Sequence, residues 1–388
     1  MKALFVHGLK FYESDTNELY LRGYNNSYWE RYLNHFDTIK VIGRKYNINN
    51  SELKGYSQFK NSNLKFVEVP EIHSYKNIVR NNSLLMKILK EEISHSDYVI
   101  ARLPGIYSNR AIRICKKLKK PYIVELVGCP LDALSTHSIK GKIIAPFIDK
   151  ITRRIVEKSP FVVYVTKKYL QEKYPTNGIN TYCSNVTLPP NDISILNKRL
   201  LKVENTKVEN NLIFGTVGAI DVKYKGHEYV IKAISQLEKD IKHRIKYHIV
   251  GGGNKKYLSN IIKKYNLEDQ VKLLGSMNHK KVFEWLDTID AYIQPSLTEG
   301  LPRALIEAMS RGLISFGSNV GGIPELIGEE FLFESKSSNE IHNIFKKINQ
   351  FSFEKEAKNN FYKSKDYEFE KINKRRDLIF EKFVKKYN

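Results

Sequence analysis

The chain has 388 residues, enough for two or three domains, and its 41% hydrophobic and 27% charged composition excludes a disordered protein. Its 64 Lys+Arg against 42 Asp+Glu give a formal net charge of +22, which favours an anionic partner: phosphorylated ligands, an acidic membrane or nucleic acid. The three cysteines, Cys115, Cys129 and Cys183, lack metal-site spacing and suit a reducing, cytoplasmic setting. The N-terminal MKALFVHGLKFY is too short in its apolar part for a signal peptide, and no run approaches the roughly 18 apolar residues of a membrane span.

In chain order, KALFVHG predicts a buried strand ending in a glycine turn, and TIKVIGR and LKFVEVP predict two more strands. Helical spacing over 76–95 leads to DYVIARLPG, a strand followed by a turn. SNRAIRICKKLKKP predicts a short helix with Ile112, Cys115 and Leu118 inward, stopped by Pro121; YIVELVG is the next strand. Helical material over 139–158, the strand FVVYVT and a helix over 167–174 complete an alternation that argues for a parallel sheet covered by helices. Residues 189–210 lose the alternation, begin with a Pro pair and predict a domain linker. A second series follows: NLIFGTVGAI, a helix over 226–239, KYHIVGGG, a helix over 254–265, VKLLGSM, a helix over 279–287, DAYIQPS, a helix from Pro302, then GLISFGS and GGIPELI. The tail from 367 to 388 is a basic amphipathic helix whose apolar side carries Phe369, Ile372, Ile379, Phe380, Phe383 and Val384.

Two doubly wound domains bind ligands at the carboxyl ends of their strands, and the glycine-rich turns fall at those ends. One strand ends at Gly215 to Gly218, and Lys225 and Gly226 precede the next helix: glycines admit a phosphate to the backbone and lysine supplies a compact charge. An ordinary loop with a solvated lysine explains that stretch about as well. In IVGGGN the consecutive Gly251, Gly252 and Gly253 form neither a GxGxxG fingerprint nor a Walker A loop.

The sharpest signal is TEGLPRALIEAMSRG, from Thr298 to Gly312. Pro302 suits a helix start, Gly312 a stop, and Ala304, Leu305, Ala308 and Met309 face a core. Glu299 and Glu307 then lie roughly 12 Å apart along the axis at helical rise, too far to share one proton or one small metal ion. A nucleoside diphosphate sugar has hydroxyls at both ends and phosphates between. Carboxylates accept paired hydroxyls, and free N–H groups at Gly300 and Leu301 suit phosphate or sugar. The bland alternative makes Glu299 a cap and Glu307 a surface residue.

SLTEGLPRALIEAMSRGLISFGSNVGGIPELI resembles the E-x7-E region of the retaining glycosyltransferases of family 4, which have the GT-B fold. The likeness extends through GTVGAI, YKG, IVGGGN, VKLLGSMNHKKVFEWL and DAYIQPS, over about residues 212 to 330. It implies an α/β protein of two Rossmann-like domains facing across a cleft. They are an acceptor-binding domain over 1–200 and a nucleotide-sugar domain over 201–366, and a helix over 367–388 crosses back to the first. By that likeness Glu307 holds the nucleotide ribose and Glu299 the donor sugar. Gly300 and Leu301 offer backbone N–H groups, Lys225 neutralises the diphosphate, the backbone at Gly218 and Gly251 lines the phosphates, and Ser276 and Met277 meet the base. The leaving phosphate helps deprotonate the incoming hydroxyl, and no metal or other cofactor is needed.

Two positions depart from the family pattern. An arginine usual after the first strand of the second domain is replaced by Ala219, where Lys223 or Arg303 would substitute. A histidine usual after the fourth N-terminal strand is replaced in ARLPG by Arg102. In the first domain His7 and Gly8 follow the first strand, where acceptor and donor meet in the family. Glu125, Gly128 and Asp132 are candidates for the acceptor side, ahead of His73 and His137.

Arg110, Arg113, Lys116, Lys117, Lys119 and Lys120 crowd one helix, and KGKIIAPFIDKITRRIVEK mixes cations with Ile and Phe. Either stretch could rest on anionic lipid or be a solvated basic face. The expectation is a retaining, metal-independent glycosyltransferase, cytoplasmic or peripheral at the membrane. It would move sugar from a UDP-sugar, or a GDP-sugar, to a glycan or lipid-linked glycan in surface polysaccharide assembly. A nucleotide-sugar 2-epimerase shares the fold and would exchange solvent hydrogen into its substrate without an acceptor. A nucleic-acid binder is a third reading, but no RNP-type run, zinc finger or helix-turn-helix pattern is present and no nucleic acid is expected.

Overall fold

The structure, a computed structural model, describes residues 1–72, 74–137, 139–190, 192–205 and 211–388, without the side chains of Tyr75 and His137. It divides into two compact units. The first comprises Met1–Pro130, Ala145–Cys183 and Asn373–Asn388; the second comprises Leu131–Ile144 and Ser184–Ile372.

The first unit is built on nine strands among the described residues: β1 (Lys2–Glu13), β2 (Leu19–Arg22), β3 (Thr38–Asn47), β4 (Tyr56–Gln58), β5 (Leu64–Glu68), β6 (Tyr98–Leu103), β7 (Tyr122–Leu126), β8 (Phe161–Tyr164) and β9 (Ile179–Tyr182). A parallel array runs β5-β3-β1-β6-β7-β8-β9, while β2 pairs antiparallel with the far end of β1 and with β4. Ala3, Leu4, Phe5 and Val6 are all buried, as expected of a central strand covered on both faces. β1 does not stop at Gly8. Its register against β3 shifts between Val6 and Leu9, so His7 and Gly8 form a bulge and the strand continues to Glu13. Gly8 has φ +67, and a Cβ there would lie 2.3 Å from the Tyr107 ring, so both backbone and space require glycine.

The helix Ile106–Leu118 buries Ile112 and Cys115, but Leu118 is exposed because the chain turns out at Lys119, whose φ of 53 is left-handed. The C-terminal helix Phe369–Tyr387 contributes Asn373 onward to this unit. Phe380 packs on Phe36 and Tyr32, Phe383 packs on Tyr98 and Phe161, and His35 Nε2 lies 2.8 Å from Asp377. Phe369, expected on the apolar side, is exposed at the helix start. The cysteines Cys115, Cys129 and Cys183 are buried thiols, none of them in a disulfide.

In the second unit β10 (Leu212–Val217), β11 (Ile245–Val250), β12 (Val271–Gly275), β13 (Ala291–Gln294), β14 (Ile314–Ser318) and β15 (Leu332–Phe333) form a parallel sheet in the order β12-β11-β10-β13-β14-β15. GGIPELI forms turns rather than a strand, and β15 takes the edge.

The segment expected as a linker, 189–210, contains the helix Ile193–Asn205, and the units part between Cys183 and Ser184 rather than after residue 200. Two side chains explain the difference. Leu196 is buried against Ala357 and Phe361. The Arg199 guanidinium donates to the carbonyls of Leu286, Ile289 and Arg311 at 2.8–3.0 Å, satisfying the ends of two helices.

Candidate active site

The order of the second sheet reverses at β10, which has β11 on one side and β13 on the other; such a switch point is where a doubly wound sheet opens a crevice. The loops leaving β10 and β13 meet there. Leu297 N–H donates to the Tyr224 carbonyl at 2.7 Å, and a Cβ on Gly226, whose φ is +71, would lie 1.8 Å from the Pro295 oxygen. Gly251, after β11, approaches Gly218 just as closely: a Cβ would lie 1.8 Å from the Gly218 oxygen. Lys223, at the start of this turn, lies 5.2 Å from the centre of the Tyr257 ring.

Within this crevice Lys225 Nζ lies 2.5 Å from Glu299 Oε1, with both side chains largely buried. The same oxygen accepts from Ser296 Oγ at 2.8 Å and Gln294 Nε2 at 3.3 Å. Behind them Gln294 Nε2 donates to Ser296 Oγ at 2.8 Å, Tyr292 Oη donates to Gln294 Oε1 at 2.9 Å, and Val217 N–H donates to Tyr292 Oη at 3.2 Å. Burial pushes the Tyr292 hydroxyl well above its usual range, so it stays a donor at working pH. The Glu299 backbone is fixed from the other side. Gly322 N–H donates to Gly300 O at 2.7 Å, and a Cβ on Gly321 would lie 2.0 Å from Glu299 O.

Pro302 is the N-cap of the helix Arg303–Ser310 and has no side-chain acceptor to close it. Helical rise therefore applies only from Arg303 onward, and the orphan N–H groups fall at the first turn, just after Gly300 and Leu301. Leu305, Ala308 and Met309 are buried as expected. Glu307 stands on this helix with its side chain 12% exposed, its Oε1 3.3 Å from Nε2 of the more exposed His279. It is not a surface residue. Arg303 and Ser276 are exposed and Met277 is half-buried, the latter two on the loop between β12 and the helix His279–Thr288.

The first unit holds its own cluster. His7 Nδ1 lies 3.3 Å from the Arg102 carbonyl at the end of β6. Burial, then the charges of Arg102 and Arg44, lower the His7 pKa to about 3, so the ring is neutral. The Arg102 side chain is buried. It donates to Tyr28 Oη and faces Glu125 Oε2 at 3.9 Å, while Tyr32 Oη donates to Glu125 Oε1 at 2.8 Å. Arg102 and Glu125 thus answer each other inside the unit. Gly128 borders open space, whereas Asp132, expected in the first domain, lies in the helix Pro130–His137, whose residues from Leu131 on belong to the second unit. His73 and the His137 side chain lie outside the described residues.

The structure brings Gly218, Lys225, Gly251, Glu299 and Gly300 together, and His7, Gly8, Arg102 and Glu125 together, each set within its own unit. Sequence reading missed Tyr292, Gln294, Ser296, Gly321, Gly322 and His279. The first three were findable: residues two apart at a strand end share a face, and these line up behind Glu299. The Gly321–Gly322 contact crosses between loops that spacing alone does not pair.

The family of glycosyl transferases group 1 matches residues 197–366. Protein CapJ of Staphylococcus aureus is 35% identical over 339 residues, 87% of this chain and 83% of its own. HepE of Anabaena, solved with UDP, superposes with a TM-score of 0.66 at 16% identity over 98% of this chain and all of its own. A second HepE structure holds UDP-glucose. WaaG, described as a glycosyltransferase involved in lipopolysaccharide biosynthesis, gives a TM-score of 0.65 at 16% identity over 98% of this chain and 99% of its own. The fold is that of GT-B enzymes.

Proposed function

Because the chain belongs to the glycosyl transferases group 1 family, we propose that it is a retaining transferase. It would take a sugar from a nucleotide-sugar donor, UDP-linked or alternatively GDP-linked, and place it on a glycan or lipid-linked glycan in surface polysaccharide assembly. The observation that carries the reading is the Lys225–Glu299 pair at the switch point, with Glu307 eight residues on. A diphosphate competes with Glu299 for the Lys225 ammonium and is favoured by its two negative charges. Once released from Lys225, the carboxylate of Glu299 accepts hydroxyls of the donor sugar, while Ser296 and Gln294 keep it aimed. Glu307 accepts a ribose hydroxyl pair, with His279 steadying its other contacts.

The departing diphosphate is stabilised by Lys225 and by the N–H groups at the start of the helix Arg303–Ser310, and it takes the proton of the incoming hydroxyl on the same sugar face. This assignment gives the chain's own cations the electrostatic task and needs no metal. His7, neutral and fixed by the Arg102 carbonyl, offers a hydrogen-bonding edge rather than a base in the first unit. The UDP and UDP-glucose held by HepE support the donor class. The likeness to CapJ, and the lipopolysaccharide role of WaaG, support the surface-glycan pathway.

A helix of the first half supports work at an anionic membrane. In Ile139–Glu157 the side chains of Ile139, Ile143, Ile144 and Phe147 are exposed, 52–80%, among Lys140, Lys142, Lys150, Arg153 and Arg154. No helix among the described residues is long and apolar enough to cross a membrane.

Thermal stability with millimolar UDP, GDP, ADP and CDP tests the donor reading. A nucleotide at about 100 times its dissociation constant adds roughly 2.7 kcal/mol. One of them should raise Tm in the wild type and not in Glu307→Ala; no response to any would sink the reading.

A further inference from the structure

His227 opens the helix His227–Ser235 directly after Lys225 and Gly226 and is 3% exposed. Both ring nitrogens face oxygen: Nδ1 lies 3.1 Å from Tyr247 Oη, and Nε2 lies 3.2 Å from the Ala219 carbonyl. The contacts continue inward. Tyr247 Oη is 2.9 Å from Thr216 Oγ1, which is 2.5 Å from the Ile293 carbonyl. A line of four contacts therefore joins the loop after β10 to the end of β13, on both sides of the switch point.

Counting hydrogens shows what this line requires. Its two terminal oxygens are peptide carbonyls, which only accept. Tyr247 and Thr216 bring one hydrogen each. A neutral imidazole brings one more, which leaves three hydrogens for four contacts; an imidazolium brings two and fills every one. In the neutral state the Thr216 hydrogen belongs to Ile293 and, if the Tyr247 hydrogen belongs to Thr216, the Tyr247 oxygen must accept from Nδ1. Nε2 then turns a lone pair toward the Ala219 oxygen. The other tautomer only moves the gap to the Tyr247–Thr216 contact.

Burial, then the charge of Lys225, hold His227 neutral by lowering its pKa to about 4, against a raising effect of the Ala219 carbonyl. The titratable and charged groups facing the ring are Tyr247 from β11 and Lys225 from the preceding turn. The helices Lys256–Lys264 and Ser338–Lys346, packed on the same helix, bring no charge to it among the described residues. The Cβ direction of Gly218 points at Lys225 Cδ and the His227 ring, 3.4 and 3.5 Å away. An anion seated on Gly218 and Lys225 thus borders the imidazole.

We propose that His227 is a positioning residue that takes a proton from solvent when a nucleoside diphosphate group seats on Lys225 and Gly218, completing the line and fixing the Ala219 carbonyl that shapes the phosphate turn. This rests on the donor reading above. The diphosphate brings two negative charges to Lys225 in place of the one that Glu299 gives up, which weakens the positive field that disfavours imidazolium. By linkage, a ligand that raises a pKa binds tighter when the group is protonated.

Calorimetric titration with UDP-glucose and GDP-mannose at pH 6, in two buffers of different ionisation enthalpy, tests it. Their diphosphate diesters do not titrate in that range, so proton uptake reports the protein. The wild type should take up a substantial fraction of a proton per nucleotide bound. Its affinity should weaken as pH rises toward the pKa of the complex, by up to about tenfold per unit. His227→Gln, whose amide still donates to Ala219, should bind either nucleotide without proton uptake and with flat pH dependence; His227→Asn serves if the Gln variant fails to fold. Wild-type binding without proton uptake, or equal uptake by the folded variant, overturns the proposal and leaves the donor reading standing. Binding of neither nucleotide sugar by the wild type overturns both.

Discussion

Lys225 and Glu299, 74 positions apart, share an ion pair of 2.5 Å at the point where the second sheet reverses its order. The contact makes the two most chemically suggestive residues of this unit competitors for any anion that arrives. Glu299→Gln removes the competing charge while keeping an acceptor toward Ser296. Its affinity for the stabilising nucleoside diphosphate should stay equal or rise. Sugar transfer should fall by about a hundredfold or more, as when an interaction specific to the transition state is lost. Lys225→Ala should show the opposite pattern in binding, a loss of ten- to a hundredfold, matching about 1.4–2.8 kcal/mol. Calorimetric titration beside a transfer assay in excess EDTA reads both effects; a collapse of transfer with EDTA alone would refute metal independence.

Gly321→Ala tests the loop contact. The added Cβ would lie 2.0 Å from the Glu299 oxygen, at a φ of +58. Backbone must move, so the variant should lose about 1–3 kcal/mol of stability. In folded protein, sugar transfer should suffer more than nucleotide binding, because Glu299 is displaced and Lys225 is not. Equal losses in both would show that the loop moves as one piece.

Arg102 was a candidate for the catalytic position after β6, yet its side chain is buried against Glu125 and Tyr28. Breaking such a pair strands a buried charge, so Arg102→Met and Glu125→Gln should each destabilise by about 3–5 kcal/mol. If the pair only supports the fold, the double variant should recover part of that loss, and kcat per folded molecule should hold. A large drop in kcat at full folding would instead assign Arg102 to the reaction.

Acid should weaken the fold through its neutral histidines. Folded His7 has a pKa of about 3 and His227 of about 4, both below the ordinary 6.5 of an unfolded histidine. Above pH 6.5 neither state binds the proton and nothing is lost. Below it the unfolded chain binds protons that the folded chain refuses, so stability falls with pH by on the order of 1.4 kcal/mol per unit for each group. For His227 the fall continues to about pH 4, and for His7 to about pH 3. His7→Gln should flatten part of the slope in urea titrations between pH 6 and 4. An unchanged slope would mean that His7 protonates freely in the native state.

The exposed apolar side of the helix Ile139–Glu157 should bind vesicles containing anionic lipid. Phe147→Ser with Ile143→Ser should lower partitioning several-fold without changing Tm, since both side chains are more than 70% exposed. Binding that vanishes in high salt but ignores these two changes would leave only the charge as its cause.

The two alternating series, the parallel sheets and the helix that carries Glu307 were legible in the order of residues alone. Hydrophobic periodicity and glycine punctuation are local signals, and each strand of such a sheet is buried enough to write its own pattern. The sequence also brought Lys225, Glu299 and Glu307 forward, because loops at strand ends and helix starts are where such residues gather. What it misjudged depended on distant partners. Residues 193–205 read as a linker until Leu196 met Phe361 and Arg199 met three helix-end carbonyls. Gly8 read as a stop, although β1 passes it as a bulge against Tyr107. Arg102 was placed only as what stands where the family has a histidine, and the Glu125 carboxylate beside it could not be read from spacing. Packing settled these points, since a side chain's charge is either spent on a neighbour or left for a ligand, and the neighbour is chosen by strands far apart in the chain.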